Sequence, residues 1–124
     1  MYSNLKKKFL STIKRVVKFQ KKSVSTKIIR PPEKFIIKQN RPNPFNPITR
    51  IHYCIPRNVC ASIAIFNEDG KKIIDLVNKD HEAGYHYVDW NARDKSGRLV
   101  KGGVYFYQFQ TKDYVKTRKM ILLR

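Results

Sequence analysis

The side chains of this 124-residue chain that could do acid–base, nucleophilic or metal chemistry are three histidines, two cysteines and nine carboxylates. His52 and His86 stand beside tyrosines in alternating segments, the usual setting of a packed or surface imidazole. His81 lies in a turn-like stretch between Asp80 and Glu82. None of the three joins a grouping with metal-ligand spacing, so neither metal nor cofactor is expected. Asp89 and Asp94 flank Asn91 and read as a turn network rather than a cation site. Neither a nucleophile elbow nor a phosphate-cradling glycine loop occurs, since Gly102-Gly103 precedes a strand pattern and not a helix. The chain is therefore expected to be no enzyme and to take no small-molecule substrate.

The segments that carry these residues read as strands. Ile51, Tyr53 and Ile55 alternate with Arg50, His52 and Cys54, and Pro56-Arg57-Asn58 breaks the run. Ala61, Ile63 and Ile65 alternate again, and Asp69-Gly70 supplies a tight turn. Lys72–Val77 follows, and 81–84 reads as a second turn. Tyr85, Tyr87 and Asp89 then share one face, with His86, Val88 and Trp90 on the other. After a turn at 94–97 come Val104–Phe109 and Tyr114–Leu123. With Phe35–Ile37 as a first strand, about seven short antiparallel strands are expected, an all-β immunoglobulin-like β-sandwich. If 56–58 closes a hairpin, Cys54 faces Cys60, both on the side away from the apolar residues. A Cys54–Cys60 disulfide then requires suitable geometry and an oxidising compartment; free thiols are the alternative.

Charge divides the chain. It holds 27 Lys and Arg against 9 Asp and Glu, for a formal +18. Residues 1–40 carry 12 of the cations against one acid, Glu33. Within residues 1–30, Leu5, Phe9, Leu10, Ile13, Val16, Val17 and Phe19 fall on about half of a helical surface at ~100° per residue. Lys7, Lys8, Lys14, Arg15, Lys18, Lys21 and Lys22 cover the rest, and Lys6 alone intrudes on the apolar arc. This is a basic amphipathic segment, helical or disordered, of a type that contacts nucleic acid or an anionic membrane. It does not read as a secretory signal peptide, because lysines interrupt every apolar stretch. No run approaches the roughly 18 apolar residues of a membrane span. The expected organisation is a basic extension (1–30), a proline-rich linker or lead-in (31–47) and a sandwich (48–124).

The lead-in carries the most specific pattern, Asn40-Arg41-Pro42-Asn43-Pro44-Phe45-Asn46-Pro47. Its prolines fix φ and push the residues before them to extended geometry. Phe45 is its sole apolar side chain and is expected to plug the end of the sandwich. From about Lys34 to Arg124 the chain resembles the type A C-terminal sorting domain of type IX secretion cargo. The matching stretches are NRPNPFNPIT (40–49), IHYCIP (51–56), IAIFNEDGKKI (63–73), AGYHYVDWNARDKSGRLVKGGVYFYQFQT (83–111) and RKMILL (118–123). The immunoglobulin-like domain of the flagellar hook-capping protein is similar over the spaced pattern from Trp90 to Tyr105.

The resemblance implies a non-enzymatic address tag at the tail of a larger secreted protein. Its implied partners are an outer-membrane translocon and a sortase-like peptidase that joins the cargo to surface lipopolysaccharide. The family's recognition residues map to Gly103, Val104 and Tyr105, and to Lys119, Met120, Ile121 and Leu122. Cleavage maps loosely to residues 28–34. The expected location is the surface of a Gram-negative bacterium if the chain belongs to a larger exported protein, and the cytoplasm otherwise. The alternative is a small basic sandwich that binds nucleic acid or anionic membrane through residues 1–30.

Overall fold

The structure is a computed structural model that describes residues 30–124. The basic segment with Lys7, Lys8, Lys14, Arg15, Lys18, Lys21 and Lys22 lies outside the described residues. The described part is all-β, with strands β1 (Ile36–Ile37), β2 (Thr49–Ile55), β3 (Val59–Asn67), β4 (Lys72–His81), β5 (Gly84–Trp90), β6 (Gly103–Gln110) and β7 (Val115–Leu122). They form an antiparallel three-stranded sheet, β1-β2-β5, and an antiparallel four-stranded sheet, β4-β3-β6-β7. This is the expected immunoglobulin-like sandwich.

Alternation builds the core. Ile51, Tyr53 and Ile55 of β2 are buried, as are Ala61, Ile63 and Ile65 of β3 and Tyr105, Tyr107 and Phe109 of β6. Period-2 geometry puts each trio on one face of its strand, and the two sheets bury these faces against each other. β4 departs from this rule. Two register shifts against β3 leave its apolar pairs, Ile73-Ile74 and Leu76-Val77, half-buried. A bulge adds a residue to one strand and moves the following side chains to the other face.

Two connections differ from expectation. Pro56-Arg57-Asn58 does not close a hairpin: β2 lies between β1 and β5, whereas β3 lies between β4 and β6 in the other sheet. Pro56 has no N–H to close a ladder, and the chain crosses the core so that both apolar faces can meet. Cys54 therefore lies opposite Ile36 and Tyr85, and Cys60 opposite Asp80. Both thiols are free, Cys54 buried and Cys60 exposed, so the Cys54–Cys60 pairing is corrected. His81 is the other case. It is no turn residue but the buried last residue of β4, and 82–83 carries the chain to the other sheet.

The lead-in is part of the sandwich rather than a tether. Phe45 is 1% exposed and its ring lies 5.8 Å from that of Trp90. Trp90 meets Tyr105 at 5.4 Å edge to face and donates its indole N–H to Arg93 O. Such contacts contribute beyond area burial alone. The peptide bonds before Pro42, Pro44 and Pro47 are cis. Phe45→Ala should lower the unfolding free energy by about 3–5 kcal/mol in a denaturant titration, the range for removing a buried phenyl ring.

Candidate functional site

Register decides what the late strands can present. β6 and β7 pair antiparallel, with Gly103 opposite Leu122, Val104 opposite Ile121, Tyr105 opposite Met120 and Phe106 opposite Lys119. The two stretches marked by the family resemblance are thus one continuous ladder. Within it Tyr105, Met120 and Leu122 are buried and belong to the core, while Gly103, Lys119 and Ile121 are exposed. Val104 and Phe106 are half-buried on the outer face. Phe106 was not among the expected residues; its place beside Val104 in the alternation is the signal that marks it. Gly103 has φ 149° with open space around it, a conformation that L side chains rarely adopt. At Gly102 a Cβ would stand 2.9 Å from Arg124 Cγ and 3.2 Å from Arg124 N. That glycine lets the chain's end lie against the start of β6.

The lead-in closes the far edge of β7 over its C-terminal half. Phe45 N donates to Ile121 O at 3.0 Å, and Leu123 N donates to Phe45 O at 2.8 Å, a parallel bridge centred on Phe45 and Leu122. Ile121 N donates to Asn43 Oδ1 at 3.0 Å, and Gln39 Nε2 to Lys119 O at 2.8 Å. Arg118 Nε reaches Ile37 O at 2.7 Å. Each bond satisfies an outward backbone group that an edge strand would otherwise present to other chains.

The lead-in is itself held by Tyr107 and Asn40. Tyr107 O–H donates to Lys38 O at 2.6 Å and accepts from Asn40 N at 2.9 Å. Burial pushes the Tyr107 phenol up to about 12, so it stays a donor at any ordinary pH. The buried Asn40 amide donates to Thr49 Oγ1 at 2.9 Å and to Pro42 O at 3.1 Å. Tyr107→Phe strands the Asn40 N–H and should cost about 1–3 kcal/mol in the same titration.

The titratable residues do other work. Asp94 Oδ1 accepts from Ser96 N and Arg98 N at 2.9 and 3.1 Å, the expected turn network. Asp89 binds Arg50 through two hydrogen bonds, at 2.8 and 3.0 Å, and the guanidinium holds its carboxyl below the usual range. Arg50 also lies over the Tyr87 ring at 3.9 Å. His52 is exposed on the same face. Burial pushes the Cys54 thiol up, away from a nucleophile's range. Among the described residues, no group of three or more His, Cys, Asp or Glu could hold a metal, and no helix is long and apolar enough to cross a membrane.

His81 is the one strongly placed imidazole. Nδ1–H donates to Lys79 O at 2.9 Å, which leaves Nε2 to accept the Tyr53 hydroxyl at 2.8 Å. His86 stands 5.0 Å away, ring edge to face, and bonds Glu82 O. Burial, assisted by the neighbouring His86 and Lys79, lowers the His81 pKa. The fold thus favours neutral His81, whereas the unfolded chain takes up a proton near pH 6.5. Stability should be full above that value, fall as pH drops through about 6.5, and level off once folded His81 also titrates. Thermal unfolding between about pH 5 and 7.5 should show this slope, and His81→Gln should flatten it.

Comparison with known proteins adds the family. The fold is similar to part of the crystal structure of dimeric latent PorU from Porphyromonas gingivalis. That match has a TM-score of 0.59 and 13% identity, and covers 77% of this chain and 10% of that one. PorZ of the same organism, an essential bacterial surface component of the type-IX secretion system, matches with a TM-score of 0.49 and 22% identity, over 73% of this chain and 11% of that one. The chain thus spans about a tenth of the length of these two proteins. No curated protein matches it in sequence. A family model does match, the secretion system C-terminal sorting domain, over residues 41–123. Its span opens at the proline segment and closes at the strand which that segment seals, and on this match the chain belongs to the secretion system C-terminal sorting domain family.

Proposed function

We propose that the sandwich is the C-terminal address of a larger exported protein, read on its β6–β7 ladder and delivered across the outer membrane to the cell surface. The family supplies the sorting role, and its kind is an address rather than a catalyst. The observation that carries the reading further is the register of β6 and β7. It sets Gly103, Val104 and Tyr105 against Met120, Ile121 and Leu122, so that two distant stretches form one surface. Tyr105, Met120 and Leu122 hold that surface from beneath, while Gly103, Val104, Lys119 and Ile121 are the groups a translocon could touch. A sortase-like peptidase would cut within residues 28–34, ahead of β1, and join the cargo to the surface. Of the described residues in this stretch, Arg30, Pro31, Glu33 and Lys34 are exposed and Pro32 is buried.

The test is a reporter carrying an export signal at its front and this chain at its end, in a host with the secretion system. Surface reporter with loss of the tag is the expected result. Reporter retained in the periplasm would refute the reading.

A further inference from the structure

The β7 border brings together two stretches that lie far apart in sequence and share one property: neither contains an acid. Residues 34–47 carry Lys34, Lys38 and Arg41, and residues 114–124 carry Lys116, Arg118, Lys119 and Arg124. The bonds between Phe45, Ile121 and Leu123, and between Gln39 and Lys119, join them along one edge. Lys38, Arg41, Lys116 and Lys119 are all exposed, and none has an ion pair among the described residues. Six of the nine acids, Glu68, Asp69, Asp75, Asp80, Glu82 and Asp89, run from the β3–β4 turn through β5; Asp94 accepts from its own turn, Asp113 just ahead of β7 is paired with Arg57, and Glu33 precedes Lys34. Exposed aliphatics flank the cations of β7, with Val115 at 55%, Ile121 at 37% and Leu123, just beyond the strand, at 52% exposure.

From this arrangement we infer that the β7 border is a cationic edge that seats in an acidic, partly apolar groove of a protein partner. The inference rests on the sorting reading and gives the partner's surface a chemistry. Unpaired cations beside exposed aliphatic side chains call for carboxylates around an apolar floor. Alternation selects a groove over a flat surface. Lys116 and Lys119 are three residues apart, so they project from opposite faces of the strand. A planar anionic membrane would meet only one of them at a time, whereas a groove grips the edge from both sides. Strand addition is not the mode of binding along the C-terminal half of β7, because Lys119 O, both backbone groups of Ile121 and Leu123 N are already bonded. Side chains must supply the affinity.

Charge reversal tests it in the reporter protein described above. The variant Lys38→Glu/Arg41→Glu/Lys116→Glu/Lys119→Glu should lower surface reporter by about tenfold or more, as expected when opposite charges become like charges across an interface. A control with the same change in net charge, Lys71→Glu/Lys79→Glu/Lys95→Glu/Arg98→Glu, should sort as the parent does. Both purified variants should unfold within a few degrees of the parent, which separates a lost contact from a lost fold. Normal sorting of the border variant, or equal loss in the control, overturns the edge while leaving the sorting reading intact. If the parent tag itself fails to sort, the sorting reading falls first and the edge with it. Vesicles of phosphatidylglycerol distinguish a lipid occupant: the two variants should bind them equally, and selective loss by the border variant would assign the edge to lipid and overturn the groove.

Discussion

The two backbone hydrogen bonds that tie Phe45 to Ile121 and Leu123 are the contact on which the architecture turns. β7 is the border strand of the four-stranded sheet, and β1, only two residues long, borders the other. A sandwich whose border strand shows bare N–H and C=O groups invites pairing with other chains. Here a proline-rich segment without strand geometry does the work of a neighbouring strand. It delivers one backbone bridge, one asparagine carbonyl and one glutamine amide to successive positions of β7. The same segment inserts Phe45 against Trp90, so closing the edge and filling the core are one event.

Around that closure the polar groups are arranged to stay satisfied. Tyr107 supplies a hydroxyl to both Lys38 and Asn40, and Asn40 spends its amide on Thr49 and Pro42. Each of these would be costly if left unpaired in the interior. His81 obeys the same logic at the other margin, where it is neutral and fully bonded between Lys79 and Tyr53. The residues of the β6–β7 ladder proposed to be read therefore divide by burial. Tyr105, Met120 and Leu122 stabilise the ladder from within, and Gly103, Lys119 and Ile121 face outward.

Much of this was legible in the residue pattern, and the remainder was hidden for definite reasons. Alternation at Ile51, Tyr53 and Ile55, or at Tyr105, Tyr107 and Phe109, shows which face of a strand is buried. It is silent on which strand lies alongside, so the link at 56–58 could be taken for a hairpin when it crosses between sheets. The same ambiguity misplaced Cys60 relative to Cys54. Phe45 was identifiable as a plug because it is alone among prolines and asparagines, but its partner in β7 lies more than seventy positions away. His81 reads as a turn residue because Glu82, Ala83 and Gly84 follow it. Nothing local announces that a strand continues through Lys79 and Asp80 to reach Tyr53. The cationic border is the clearest case: each acid-free stretch is visible alone, and only the fold adds them.

The zipper between lead-in and last strand also has a meaning in time. A ribosome makes the proline segment before β7, so the edge stays open until Leu123 has left the exit tunnel. Until then the Tyr107 clamp can hold the lead-in, but Phe45 has no carbonyl to bond and Tyr105 lacks its partner across the ladder. A chain stopped short of β7 would show an unfinished sheet and no completed β6–β7 surface.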